Sequence, residues 1–228
     1  MKKKNLSIAF IIIFIIILAI GTIFYTYKNK QKQEVILKEE ISKLNPQEEI
    51  DMSIKTNGNY AKIEKVIKEH FKEISDKSEK LINLYKNENI IKAISIENYE
   101  KDGPEFVNTK KMIANTKKEI NENINALEEC FKKENMDKKI NDKNLSDYYM
   151  DLYNNLNINQ EENFKQAEKN MQNIKNSNSE YMVMLDNIEE IINYLSNNKE
   201  EWKIENGEFK YNSEEFFKQY TSLLNELK

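Results

Sequence analysis

The sequence contains no arginine, one histidine and one cysteine, and these scarcities exclude several kinds of functional site. Without arginine, the chain has no bidentate side-chain clamp for a phosphate or a carboxylate. His70 and Cys130 alone do not supply the ligands of a structural zinc site, and one cysteine permits no disulfide within the chain. The sequence has no glycine-rich phosphate loop and no calcium-binding loop. It therefore predicts no metal ion and no cofactor.

Glycine and proline are also scarce, with four and two residues in a chain of 228, which favours long helices over a turn-rich β fold. Charge is unevenly distributed along the chain. Residues 1–32 contain six of the 35 basic residues and none of the 39 acidic ones, so residues 33–228 hold 29 lysines and carry a net charge of −10. A part of the chain this acidic does not attract nucleic acid by charge. We therefore expect no nucleic-acid partner.

One apolar stretch, Leu6–Phe24, is long enough to cross a membrane. It has nineteen residues and no charge. At about 1.5 Å per residue, a helix of this length spans the hydrocarbon core of a bilayer. Because the apolar run is longer than a typical signal-peptide core, a retained anchor is preferred over a cleaved signal peptide. The short basic tail Met1–Asn5 favours a cytoplasmic N-terminus, with the rest of the chain outside the cytoplasm.

The remainder of the chain shows the periodicity of amphipathic helices. Apolar residues recur at steps of three and four over 60–84 and 164–195, and at steps of seven over 106–127. We predict an all-α fold, in which an N-terminal transmembrane helix is followed by an elongated antiparallel helical bundle with a small C-terminal β-hairpin. The predicted divisions are a cytoplasmic tip and transmembrane anchor at 1–27, a stalk and connector at 28–58, and the bundle at 59–228.

The predicted hairpin, residues 201–211, is centred on Asn206-Gly207, the pair most typical of a two-residue type I′ turn. Apolar and charged residues alternate on both sides of this pair. One face of the hairpin then carries four large side chains, those of Trp202, Ile204, Phe209 and Tyr211. The preferred interpretation is that this face closes one end of the bundle core, since an isolated two-stranded hairpin is only marginally stable. The alternative is that the face binds a partner.

A second aromatic group lies in a short helix predicted over 145–156. Tyr148 and Leu152 are expected to line the core, whereas Tyr149 and Tyr153 form a more exposed ridge. Tyrosine is enriched at protein–protein interfaces, so this ridge is a candidate binding surface. The candidate partner surface of the chain therefore comprises Tyr149, Tyr153, Trp202, Ile204, Phe209 and Tyr211.

No catalytic residue is predicted. Nucleophilic catalysis requires a nucleophile, a base and an orienting group in contact. His70 lies at the edge of the apolar face of a regular helix, and Cys130 is expected to be a buried thiol. Neighbouring carboxylates such as Glu189 and Glu190 point in different directions on a helix and are typical of a solvated face. We therefore expect that the protein is not an enzyme.

In outline, the arrangement resembles anchored extracytoplasmic helical bundles that serve sensing or assembly at bacterial surfaces. The leading hypothesis is a non-catalytic, membrane-anchored, extracytoplasmic interaction or scaffold module of a bacterial cell surface. Its partners would be the membrane, through Leu6–Phe24, and another protein. One alternative is a sensor-type bundle that holds a small extracellular ligand between its helices. A second alternative is a secreted helical protein released by cleavage of the N-terminal segment.

Overall fold

The computed structural model of the protein describes residues 28–45, 48–156 and 160–227, without the side chains of 160–167. The predictions of a predominantly helical fold and of a small C-terminal antiparallel hairpin are confirmed. In chain order, the elements are α1 (28–42), α2 (Asn59–Tyr85), α3 (Glu88–Lys92), α4 (Ile96–Asp102), α5 (Val107–Cys130), α6 (Lys133–Asn141), α7 (Asp147–Leu156), α8 (Gln160–Asn197), β1 (Trp202–Glu205), β2 (Glu208–Tyr211) and α9 (Glu214–Asn225).

The predicted transmembrane segment Leu6–Phe24 lies outside the described residues. Within the ranges that the structure describes, every helix is too short or too polar to cross a bilayer. The anchor and its orientation therefore stay predictions from the sequence.

The chain forms two compact units, each with its own apolar core. Of the described residues, the first unit comprises 28–45, 48–73 and 136–156, and the second comprises 74–135 and 160–227. Helices α2 and α6 contribute residues to both units. The domain boundaries predicted from the sequence stay a prediction.

In the first unit, α1, α2, α6 and α7 share a buried core. Leu37 of α1, in the segment that the sequence assigned to a stalk, is completely buried there. The lysine- and asparagine-rich sequence of α6 is typical of a loop, yet a helix forms because Met136 and Ile140, four residues apart, both reach the core. The fully or nearly fully buried residues of this core are Leu37, Tyr60, Ile63, Val66, Ile67, Met136, Ile140, Leu152 and Tyr153.

In the second unit, the predicted seven-residue repeat of α5 lies in the core. Phe106, at the N-cap of α5, and Ile113, Ile120 and Leu127 within the helix are each at most 1% exposed. Helix α8 packs against α5 and α9, and its buried residues follow the spacing of three and four expected of an amphipathic helix. The α8 residues in the core are Met171, Leu185, Ile188, Ile191, Ile192 and Leu195.

The hairpin has the predicted register and turn. Trp202 pairs with Tyr211 and Ile204 pairs with Phe209. Asn206 and Gly207 both have positive φ angles, 54° and 75°, as a type I′ turn requires. Because side chains alternate along a strand, this register places the four large side chains on one face.

Candidate functional site

The apolar face of the hairpin packs against the core of the second unit. Trp202 is 8% exposed, and its indole Nε1 donates a hydrogen bond to the backbone carbonyl of Leu195 at 2.8 Å. Its ring lies nearly parallel to those of Phe106 and Phe209, with ring centroids 5.8 Å and 5.6 Å apart. These contacts favour the interpretation that the hairpin closes the core.

The other three predicted residues of this face are more exposed than Trp202. Ile204 and Phe209 are half-buried against the core, and Tyr211 is 37% exposed. The ring of Tyr211 stacks on that of Phe217 in α9, with centroids 4.2 Å apart. Of this face, Tyr211 alone retains a large accessible surface, so little of the hairpin's apolar face is open to a partner.

The predicted division between core and exposed tyrosines in α7 is wrong for Tyr153 and for Tyr148. Tyr153 is fully buried in the first unit, whereas Tyr148 is 44% exposed and Tyr149 is half-buried. Tyr148 lies in the first turn of α7, where its hydroxyl reaches that of Tyr60 at 3.1 Å. The helix thus turns Leu152 and Tyr153 together into the core, and the predicted exposed ridge of Tyr149 and Tyr153 does not form.

A buried ion-pair network, which the sequence did not predict, joins three segments of the first unit. Lys68 is 1% exposed, and its Nζ lies 2.8 Å from a carboxylate oxygen of Glu64 and 2.9 Å from one of Glu40. The same Nζ donates to the backbone carbonyl of Ser53 at 2.8 Å. Glu40 belongs to α1, and Ser53 belongs to the connector between α1 and α2. Glu64 and Lys68 both belong to α2, where they lie one helical turn apart.

The carboxylate of Glu64 also holds the end of the connector. It accepts hydrogen bonds from the backbone N–H groups of Lys55 and Thr56, at 3.1 Å and 2.9 Å, and from the Thr56 hydroxyl at 2.7 Å. Burial acts to raise the pKa of Glu64, but the bonds from Lys68 and Thr56 hold it below its usual value. Burial acts to lower the pKa of Lys68, and the two glutamates hold it above its usual value. Both groups therefore stay charged near neutral pH, and the network is suited to fixing the connector rather than to transferring protons.

His70 is a buried histidine in the first unit. It is 6% exposed, and its Nδ1 has no hydrogen-bond partner among the described residues. Burial, together with the positive charge of Lys139, lowers the pKa of His70 to about 4. The Nζ of Lys139 is itself paired with Glu73 at 2.5 Å. The imidazole is therefore neutral at physiological pH and is packed as an apolar side chain would be.

The second unit has a groove with a largely apolar lining. It has a volume of about 340 Å³ and lies between α2, α5 and α8. None of its lining residues is charged, and Ile82 on its edge is 48% exposed. The lining residues are Ser78, Leu81, Ile82, Tyr85, Leu127, Asn173, Ile174 and Ser177.

The wall of this groove is held by contacts between α2 and α8. The Tyr85 hydroxyl donates to the side-chain oxygen of Asn178 at 3.3 Å, and the Tyr85 ring lies 4.8 Å from that of Tyr181. Asn178 interrupts the apolar repeat of α8, and this bond gives its polar side chain a partner at the helix interface. A second recess, of about 510 Å³, has a charged lining that includes Asp76, Glu79 and Glu119.

In the part of the chain that the structure describes, no three His, Cys, Asp or Glu side chains lie close enough together to bind a metal ion. Comparison of the chain with protein-family models, with curated proteins and with solved structures found no match.

Proposed function

We propose that the protein is a non-catalytic, membrane-anchored interaction module that presents its helical part outside the cytoplasm of a bacterial cell. The uncharged stretch Leu6–Phe24 supports the anchor. The single observation that carries the interaction role is the groove of the second unit, with the exposed Ile82 on its edge. An apolar surface that stays accessible beside a preformed groove is typical of a protein-binding site.

The partner that fits this groove is an amphipathic helix with an uncharged apolar face. Helix α2 presents Ser78, Leu81, Ile82 and Tyr85 at the spacing of one helical face, and α8 supplies Asn173, Ile174 and Ser177. A helix laid between them would bury apolar side chains against Leu81, Ile82 and Ile174. The serine and asparagine side chains at the groove supply neutral hydrogen-bonding groups, which favour a neutral rather than a charged ligand surface.

Site-specific crosslinking tests this proposal. A photoreactive amino acid replaces Ile82 in the full chain, and the matched control replaces Val183, an apolar α8 residue that is 57% exposed and does not line the groove. We expect a discrete crosslinked adduct in cells from position 82 and none from position 183. The adduct should disappear when Ser177→Glu places a charge in the groove, because a buried unpaired charge opposes apolar docking.

Two outcomes would contradict the interaction role. Adducts of equal yield from positions 82 and 183 would show non-specific contact. A discrete adduct that persists in Ser177→Glu would show that the partner binds elsewhere.

The volume of the groove favours one second candidate function, the binding of a small extracellular ligand by a sensor-type bundle. About 340 Å³ lies at the lower end of the range of roughly 300–1,000 Å³ that is typical of ligand pockets. A thermal-shift screen of the full chain against sugars, peptides and cell-wall fragments tests this function, since a ligand that binds the native state raises the melting temperature. A shift that is lost in Ser177→Glu would support the sensor, and no shift across the panel would count against it.

A further inference from the structure

We propose that one rim of the first unit lies on the lipid headgroups of the membrane that holds the anchor. This tyrosine rim is formed by Lys30, Glu34, Tyr148 and Tyr149, and the buried Tyr60 contacts both tyrosines from the core of the unit. The inference rests on the proposed anchoring through Leu6–Phe24 and adds a second contact with the bilayer, made by the folded part of the chain.

Three helices of the first unit form or contact the tyrosine rim. The Tyr148 hydroxyl, from α7, lies 3.1 Å from the Tyr60 hydroxyl of α2 and donates to a carboxylate oxygen of Glu34 in α1 at 3.4 Å. The Tyr149 ring meets the edges of the Tyr60 and Tyr148 rings, with centroid distances of 5.1 Å and 5.0 Å. The Nζ of Lys30 lies 5.3 Å from the centre of the Tyr148 ring. The rim is thus a connected set of side chains in fixed positions.

The length of chain between the anchor and the rim keeps the two close together. Phe24, the last residue of the apolar stretch, and Lys30 are six residues apart. Even a fully extended chain of this length spans at most about 20 Å. The headgroup region on each side of a bilayer is about 5–8 Å thick. Lys30, whose Nζ lies against the Tyr148 ring, is therefore at most about 20 Å from the end of the apolar stretch, a tether short enough for the rim to reach the headgroups but too long to hold it there without the contact that we propose.

The chemistry of the rim matches that of the membrane–water interface. Tyrosine rings are enriched at this level because the ring is half apolar and the hydroxyl hydrogen-bonds to water or headgroups. Tyr148 is 44% exposed, and Lys28, Lys30 and Lys32 are exposed on the same end of α1. A lysine at this level of a membrane places its charged Nζ near the phosphate groups while its methylene stem stays in the apolar boundary.

The acidic residue of the rim does not oppose this contact. The carboxylate of Glu34 is paired with Lys38 at 2.7 Å and accepts the Tyr148 hydroxyl. Lipid is the favoured occupant because the tether of six residues to the proposed anchor keeps this rim near the bilayer. A protein partner would have to compete with headgroups that are always present.

Fluorescence quenching by headgroup-labelled lipid tests the proposal in the full chain. The chain is reconstituted into phosphatidylcholine vesicles that contain a nitroxide on a fraction of the headgroups. In a Cys130→Ser background, a bimane fluorophore is attached to Asp151→Cys, three residues after Tyr148 in α7, or to Lys43→Cys as the control. Lys43 lies thirteen residues beyond Lys30 along the chain that forms α1 and the turn after it, a separation of about 20 Å if measured at the rise of a helix.

We expect quenching at position 151 at least about threefold stronger than at position 43, because nitroxide quenching falls steeply over the thickness of the headgroup region. Tyr148→Ser should reduce this ratio toward one, since it removes the exposed ring while leaving the tether unchanged. The matched control is Tyr211→Ser in the second unit, which removes a tyrosine of similar exposure and should leave the ratio unchanged.

The experiment distinguishes loss of the membrane anchor from loss of the headgroup contact. A chain that does not stay with the vesicles would overturn the anchor and, with it, the headgroup contact. A chain that stays with the vesicles but is quenched equally at positions 151 and 43 would overturn the headgroup contact alone. A ratio that Tyr148→Ser leaves unchanged would also overturn it, because the tether by itself would then explain the proximity.

Discussion

Replacement of Trp202 by alanine tests whether the hairpin closes the core of the second unit. The side chain is 8% exposed, stacks with Phe106 and Phe209, and donates a hydrogen bond to Leu195. Truncating a buried tryptophan to alanine costs about 3–5 kcal/mol, and the lost hydrogen bond accounts for about 1 kcal/mol. We therefore expect Trp202→Ala to destabilise the second unit by about 4 kcal/mol, within the combined range of these two effects.

Amide hydrogen exchange measured by mass spectrometry resolves this effect for each unit. A loss of about 4 kcal/mol raises the exchange rate of the slowest amides by about a thousandfold. We expect this acceleration in α5 and α9, with the amides of α1 and α7 in the first unit unchanged. Tyr211→Ala is the matched control, because it removes an aromatic side chain of the same hairpin face that is 37% exposed, and it should accelerate exchange less than about tenfold.

Two results would refute the core-closing role of Trp202. The first is an acceleration in Trp202→Ala no larger than that in Tyr211→Ala. The second is a red-shifted, readily quenched fluorescence of the native chain, in which Trp202 is the only tryptophan.

Three further predictions concern His70, Lys68 and Gly103. The pKa of His70 in the folded chain is about 4, below its usual 6.5. The contribution of this buried neutral imidazole to the free energy of unfolding is therefore complete above pH 6.5 and is lost as the pH falls toward 4, by about 3 kcal/mol in all. Denaturant titrations at several pH values should show this slope in the native chain and not in His70→Leu. Lys68→Met leaves Glu64 buried without its cation and should cost about 3–5 kcal/mol, whereas the double variant with Glu64→Leu should recover part of this loss in the same titrations. Gly103→Ala places a Cβ too close to the Tyr99 carbonyl oxygen and should lower the free energy of unfolding by about 1–3 kcal/mol; an unchanged value would contradict this close approach.

The hairpin and α5 could be predicted from the sequence because each rests on a local signal. Asn206-Gly207 is favoured at the positive φ angles of a two-residue turn, and this turn fixes which strand residues pair. The repeat of α5 from Ile113 to Leu127 depends only on the period of the helix.

The orientation of α7 depended on contacts that its own sequence does not specify. Tyr148, Tyr149, Leu152 and Tyr153 spread over an arc of about 140° of the helix circumference, so more than one rotation of the helix would bury apolar area. The structure buries Leu152 and Tyr153 and leaves Tyr148 exposed. The hydroxyl contact between Tyr148 and Tyr60 joins residues 88 positions apart, and sequence periodicity carries no information about such a contact.

The buried network of the first unit was also hidden in the sequence. Glu64 and Lys68, four residues apart, have the spacing of an exposed helical ion pair. They nevertheless lie among Ile63, Val66 and Ile67, which are all buried. The position of Glu64 and Lys68 among these apolar residues is the feature of the sequence that indicates a buried ion pair, because charged residues on an apolar helix face are buried only when they are paired. The identity of the third charge, Glu40, follows from tertiary structure alone.

Labelling of intact cells tests whether the protein is a membrane-anchored module that lies outside the cytoplasm. In a Cys130→Ser background, Glu205→Cys places one thiol on the exposed hairpin, and the cells are treated with a membrane-impermeant maleimide before and after lysis. We expect full labelling before lysis, with the labelled chain recovered in the membrane fraction. Labelling that occurs only after lysis, or a labelled chain released into the medium, would contradict it.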